Sequence, residues 1–113
     1  MRYGFAAGPI LKGLSTRQPI IMTNNTAFSR NVTIINELGL HARSAAKIAK
    51  IAQQAHAKVW IFKDAVRVDA ASVIDILTLE ATKGSSVTFE IDSPSDIEIL
   101  DKLEKLVQNS FEE

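Results

Sequence analysis

Beyond residue 29 the apolar residues keep changing their period, and this constrains the fold more than any other feature of the chain. Val32 and Ile34 alternate with Thr33 and Ile35, the two-residue period of a half-buried strand over about 30–36. Ala45, Ile48, Ala49 and Ala52 then fall at i, i+3, i+4 and i+7. Residues 42–54 therefore read as a helix whose small-residue face suits close packing on a sheet. Residues 58–63 are rich in β-branched and aromatic types (Val59, Trp60, Ile61, Phe62). With the alternating residues 66–68 they predict a hairpin. Val73, Ile74, Ile76, Leu77 and Leu79 predict a short apolar helix over 71–80, closed at Lys83-Gly84-Ser85. Val87, Phe89 and Ile91 alternate with Thr88 and Glu90 in a fourth strand. Ser95-Asp96-Ile97-Glu98, just after Pro94, has the S-x-x-E pattern of a capping box. It should open a last helix with Leu100, Leu103, Leu106 and Val107 as its apolar stripe. The order β-α-β-β-α-β-α predicts an α+β fold, an open-faced sandwich with short strands and the helices on one face.

Residues 1–29 show no such period. They hold Gly4, Gly8, Pro9, Gly13, Pro19 and the polar run Thr23-Asn24-Asn25-Thr26. A domain is therefore expected over 30–113, preceded by an N-terminal extension over 1–29. Charge divides near the same place. Arg2, Lys12, Arg17 and Arg30 stand in the first 36 residues with no acid, and all thirteen acidic residues follow against nine basic ones. An acidic domain in a chain of zero net charge argues against nucleic-acid binding. The absence of cysteine excludes disulfides, thiolate metal sites and a cysteine nucleophile, and fits a cytoplasmic location. No apolar run reaches membrane-spanning length, so no membrane insertion is expected. The stretch 5–14, interrupted by Pro9 and Lys12, makes a poor signal peptide.

Alternation also places Ile35, Trp60 and Phe62 on the sheet face away from the helices. The extension carries Phe5, Ile10, Leu11, Leu14, Ile20 and Ile21, which have no core of their own. Two expectations follow for the extension: a flexible tail, or residues upstream of a start at Met22, on the one hand, and on the other a cover in which part of residues 1–21 lies across that face, in the same chain or in a second copy as an oligomer.

The chemistry concentrates in Gly39-Leu40-His41-Ala42-Arg43. A histidine stands immediately before an amphipathic helix, where the first amides lack internal partners and the helix dipole places positive charge. Such an end binds phosphate. It also favours a neutral, nucleophilic imidazole. Gly39 permits a tight turn, and Arg43 adds a donor fork suited to phosphate oxygens.

The run Gly39-Leu40-His41-Ala42-Arg43-Ser44-Ala45 resembles the active-site signature of HPr, the histidine-containing phosphocarrier of the bacterial phosphotransferase system. The resemblance extends over residues 30–110 in element order and includes Ser72-Val73-Ile74. It implies an HPr-like four-stranded antiparallel sheet with three helices on one face. It further implies a phosphoryl carrier, not an enzyme, that needs no cofactor or metal. Enzyme I, charged from phosphoenolpyruvate, would load Nδ1 of His41, and IIA-type proteins would unload it. Arg43 would contact the phosphoryl oxygens, with Gly39, Ala42 and Ser44 completing the phosphate-binding loop. Val73, Ile74 and Leu77 would meet partners, and Ser72 matches the serine modified by HPr kinase/phosphorylase. The alternative it leaves open is a regulatory binding protein controlled by phosphorylation at Ser72, His41 or both.

Two departures from the family pattern carry expectations. The family usually has proline where Ser44 stands, so a less rigid helix start and an extra hydroxyl donor toward the phosphate are expected. Ala71 and Asp75 replace the lysine and glycine common in regulated members, and Asp69 and Asp75 would repel a phosphoserine at 72. His56, Glu37, Lys47, Lys50 and Lys58 read as solvated surface. An enzyme such as a phosphohistidine hydrolase lacks support, since the sequence offers His41 no evident general base or metal set.

Overall fold

The computed structural model describes residues 28–113. The expected extension, and with it the covering of the sheet by residues 1–21, lies outside the described residues except for Phe28 and Ser29, the latter already in the first strand. The elements are β1 (Ser29–Thr33), α1 (Ala42–Ala52), β2 (Val59–Lys63), β3 (Val66–Asp69), α2 (Val73–Leu77), β4 (Ser86–Ile91) and α3 (Ile97–Gln108). A 3-10 turn, Pro94–Asp96, precedes α3, and a second turn, Ser110–Glu112, follows it. The sheet order is β1-β4-β2-β3 and every pair is antiparallel. The last strand in sequence thus fills the gap between the first two, which share no ladder.

The alternation of the strands explains the layering. Val32, Ile34, Val59, Ile61, Val87, Phe89 and Ile91 are buried in one core with Ala45, Ile48, Ala49 and Ala52 of α1, Ile76 of α2, and Leu100, Leu103 and Val107 of α3. The alanines let α1 lie close to the sheet. On the other face Trp60 stands in register between Glu90 and Asp69, and Phe62 between Thr88 and Arg67. Both rings are half-buried, and Ile35 is exposed. Charged neighbours hold the tryptophan. The Arg67 guanidinium lies 4.0 Å from the indole centroid and the Lys58 ammonium 5.6 Å, while the indole N–H donates to Asp92 at 3.0 Å.

α1 ends at Ala52 rather than at 54 and α2 begins at Val73 rather than at 71, and three further differences from the sequence reading have a visible cause. β1 ends at Thr33, because Ile34 leaves the ladder to bond Ser85 and Gly84 (2.9 and 2.7 Å) before the chain turns. α2 stops at Leu77, short of 80, and Glu80 takes a positive φ of 53°. The Ser95–Glu98 capping box does not form. Ser93 accepts from the Ser95 N–H, Pro94 opens the 3-10 turn, and Asp96 takes the cap position of α3 without capping it. Its carboxylate is occupied elsewhere, accepting the amides of His56 (2.9 Å) and Ala57 (3.0 Å) and the His56 ring at 3.0 Å. Asp96 is 2% exposed and ties the α1–β2 loop to the start of α3. The amide bond from His56 leads the contacts that hold its carboxyl below the usual aspartate range. His56, read as solvated, does have a largely exposed ring, but its Nδ1 is committed to this carboxylate.

Candidate functional site

The site begins with a turn over residues 36–39. Gly39 has a φ of +66°, and a Cβ there would lie 2.6 Å from the Ala81 carbonyl oxygen and 2.8 Å from the Thr82 Cα. Only glycine fits both the conformation and the space. The next residue fastens the loop, since the Leu40 N–H donates to the same Ala81 oxygen at 2.9 Å and the Leu40 side chain is buried. His41 thereby arrives at the N-cap of α1 in extended conformation (φ −122°, ψ −177°).

Ser44 completes the cap from within the first turn. Its Oγ accepts from the His41 N–H at 2.9 Å and donates to the Gly39 carbonyl at 3.1 Å. The residue is fully buried. This corrects one expectation placed on it: the hydroxyl faces inward, away from any phosphate. Ala42 and Arg43 are exposed beside it, and no carboxylate of the described residues pairs with Arg43.

The imidazole of His41 is held at both nitrogens. Nδ1 accepts from the Arg43 amide at 3.3 Å, and Nε2 lies 2.7 Å from Glu113 Oε2. An amide N–H can only donate and a carboxylate can only accept. The neutral ring therefore carries its proton on Nε2 and its lone pair on Nδ1, turned toward the helix amides. Glu113 is itself oriented, because its other oxygen accepts from Asn36 Nδ2 at 3.1 Å. The same Nδ2 donates to the Gly39 carbonyl at 2.9 Å. The hydrogen bond from His41 is the foremost influence holding the Glu113 carboxyl below the usual glutamate range, against a smaller push from desolvation.

Glu113 is the contact of the His41 ring that sequence reasoning missed. It stands 72 positions from His41, and no spacing or motif links the two. The fold brings it in through the turn after α3, where Phe111 is buried in the core and its carbonyl accepts from Lys47. Lys47 therefore is not the freely solvated residue expected. Lys58 is likewise paired, with Asp69 at 2.6 Å, and Glu37 pairs with Lys83 on the surface.

The second predicted site lies at the start of α2. Ser72 is its N-cap, with Oγ accepting the Asp75 amide at 3.2 Å. Asp69, expected to repel a phosphate here, is engaged by Lys58 and by the Ala71 amide (2.8 Å). Ile74 is 76% exposed, whereas Val73 and Leu77 lie half-buried against the core. Leu38, which the sequence reading passed over, is 70% exposed in the turn before His41. No cluster of three metal-ligating side chains occurs among the described residues, and no described helix is long and apolar enough to cross a membrane.

Known proteins resemble this chain in sequence and fold. The family model for the PTS HPr component phosphorylation site matches residues 28–109. The phosphocarrier protein HPr of Cupriavidus necator is 42% identical over 84 residues, which cover 74% of this chain and 94% of that protein. The phosphocarrier protein NPr of Shewanella violacea is 38% identical over 88 residues, or 78% and 97% of the two chains. Among solved structures, HPr-C-His from Thermoanaerobacter tengcongensis aligns with a TM-score of 0.71 at 29% identity, covering 75% of this chain and 96% of that one. With a histidine at the cap of α1, this fold and these relatives, the chain belongs to the PTS HPr family of phosphocarrier proteins.

Proposed function

We propose that the chain accepts a phosphoryl group on Nδ1 of His41 from enzyme I, itself charged from phosphoenolpyruvate, and delivers it to IIA-type proteins in the cytoplasm. The observation that carries this reading is the ring's orientation: Nδ1 faces the first amides of α1 while Glu113 holds the opposite nitrogen. The Nδ1 lone pair attacks phosphorus. The arriving oxygens then meet the amide of Ala42, the Arg43 guanidinium and the positive end of α1. Gly39 keeps the loop tight against residues 81–82, so these donors are in place before the phosphate arrives. Each molecule carries one phosphoryl group and is a stoichiometric carrier, not an enzyme. Partners dock over the start of α1 and over α2, with Ile74 as the exposed apolar contact and Val73 and Leu77 beneath it.

A second, regulatory reading has its own support at Ser72. The hydroxyl caps α2, and the charge of Asp69 is already neutralised by Lys58, so a phosphate added by an HPr kinase/phosphorylase meets less repulsion than the sequence suggests. The test of the main reading is incubation with enzyme I and labelled phosphoenolpyruvate, followed by acid. An acid-labile label that disappears in His41→Ala supports it, and a label that persists in that variant overturns it.

A further inference from the structure

The sheet face turned away from the helices holds a trough. In the row Ser29–Glu90–Trp60–Asp69 and the next row, Asn31–Thr88–Phe62–Arg67, every side chain points away from the core. The rings of Trp60 and Phe62 form one wall. Arg67 of β3 lies over them, 4.0 and 5.9 Å from the two centroids, and reaches Glu90 at 3.6 Å. Toward β4 and β1 the rings border the short polar residues Thr88, Ser86, Asn31 and Ser29. Asn31 donates to Thr88 at 2.8 Å and accepts from Ser86 at 3.0 Å, so this floor meets hydrogen bonds within itself and tolerates an apolar cover. Ser29 marks the mouth of the trough. It sits outward on the edge strand of the described sheet, yet is only 8% exposed. Serines are mostly exposed, and an outward one at a sheet edge needs something above it.

We propose that the occupant of this trough is the chain's own segment Pro19–Met22, laid over β1 and β4 with Ile20 and Ile21 against the rings of Trp60 and Phe62. Reach, composition and charge support it. The segment joins the domain at Phe28, at the Trp60 end of the sheet, where the Ile91 N–H donates to the Phe28 carbonyl at 3.0 Å. From β1 to the rings is two strand spacings, about 10 Å. The seven steps from Ile21 to Phe28 can span about 23 Å, which leaves room for the reversal that Thr23-Asn24-Asn25-Thr26 favours. Ile20-Ile21-Met22 is the apolar run nearest the domain, and Pro19 brings no N–H that would be left unmet over a sheet face. The residues before Phe28 carry Arg2, Lys12 and Arg17 and no acid. The face carries Asp69, Glu90 and Asp92 against Lys58 and Arg67, so opposite charges meet. The trough lies across the sheet from α1 and α2, and a docked segment leaves the starts of those helices open to partners.

The test compares the full chain with the double variant Ile20→Asp/Ile21→Asp. Trp60 is the chain's single tryptophan, so its emission reports on the trough alone. In the variant the emission should shift to the red, and the quenching constant for acrylamide, a neutral probe, should rise about twofold as the ring opens to water. Circular dichroism of the two should agree. Unchanged emission and quenching overturn the proposal. A second measurement separates the occupants. The chain has no cysteine, so Gln18→Cys accepts a single nitroxide in the full chain. In a nitrogen-15 sample the nitroxide should broaden the amides of Phe62 and Thr88 and spare those of α2. Mixing nitrogen-15 chains that lack the nitroxide with unlabelled chains that carry it should leave the same amides sharp. Broadening in the mixture assigns the trough to a second copy, and no broadening in either sample leaves it empty; each result overturns the proposal. Neither readout involves phosphate, so the outcome does not depend on the phosphocarrier reading.

Discussion

Replacing Gly39 with alanine tests how far the phosphate-binding loop depends on its seat against residues 81–82. Two terms act. The left-handed conformation at φ +66° costs about 1–2 kcal/mol for a residue with a Cβ, offset by about 0.4–1 kcal/mol from the stiffer unfolded chain. The second term is steric. A Cβ 2.6 Å from the Ala81 oxygen and 2.8 Å from the Thr82 Cα meets backbone on both sides, so the loop itself must lift. Lifting breaks the Leu40–Ala81 hydrogen bond, worth about 0.5–1.5 kcal/mol, and uncovers part of the buried Leu40 side chain, about 1 kcal/mol more. The total is about 2–4 kcal/mol, a large fraction of the stability of a small domain. Gly84 provides the control, because its φ is +93° and a Cβ there meets nothing within 4 Å. Gly84→Ala therefore carries the conformational term alone, about 1.6 kcal/mol at most. Urea unfolding followed by Trp60 fluorescence reads the difference. With a slope of about 1 kcal/mol per molar, the midpoint should fall by about 2 M or more for Gly39→Ala and by less than about 1.6 M for Gly84→Ala. Midpoints for the two variants within about 0.3 M of each other would show that contact with residues 81–82 does not hold the loop.

Four further outcomes are expected. Ser44→Ala leaves the His41 amide without its acceptor and should destabilise by about 1–2 kcal/mol in the same unfolding assay, with no change if the inward cap is unimportant. Arg43→Ala should slow loading from enzyme I about ten- to a hundredfold, the loss of one charge-assisted contact of about 1.5–3 kcal/mol, and an unchanged rate would remove Arg43 from the phosphate. Ser72→Asp should slow the same step, and loading at the parent rate would remove the regulatory reading. Asp96 and Glu113 titrate below their ordinary values in the folded state, so the unfolded chain binds protons first as pH falls. Their stabilisation is complete above the ordinary carboxylate values and is lost as pH drops through the lowered ones. Asp96→Asn should flatten that acid limb, and an unaltered limb by urea titration across pH would count against the Asp96 tether.

Much of the fold was legible because its elements are short and strongly periodic. Val32 and Ile34, Val59 and Ile61, and the alanine stripe of α1 announce their burial in their spacing, and the structure buries each of them. The misreadings arose where distant groups compete for a local one. The S-x-x-E pattern at 95–98 encodes a cap, but Asp96 within it is drawn to the amides of His56 and Ala57, forty residues away in the chain. Ser44 looked outward from sequence because a hydroxyl at a helix start has two directions open to it, and the Gly39 carbonyl decides between them. His41 and Arg43 could be singled out because the helix start that organises them is adjacent. Glu113 could not, since its position depends on Phe111 entering a core that all the other elements build.

The same remoteness bears on when the molecule becomes competent. The loop around His41 leans on Ala81, and the ring leans on Glu113, so the site draws on the first, middle and last parts of the domain. During synthesis the signature segment leaves the ribosome early, yet its imidazole has no fixed tautomer until α3 has docked and residue 113 has followed it. Contacts so far apart in sequence are among the slowest to close. A transferase that reads this geometry would thus load only copies in which the docking of α3 has brought residues 36, 41 and 113 together.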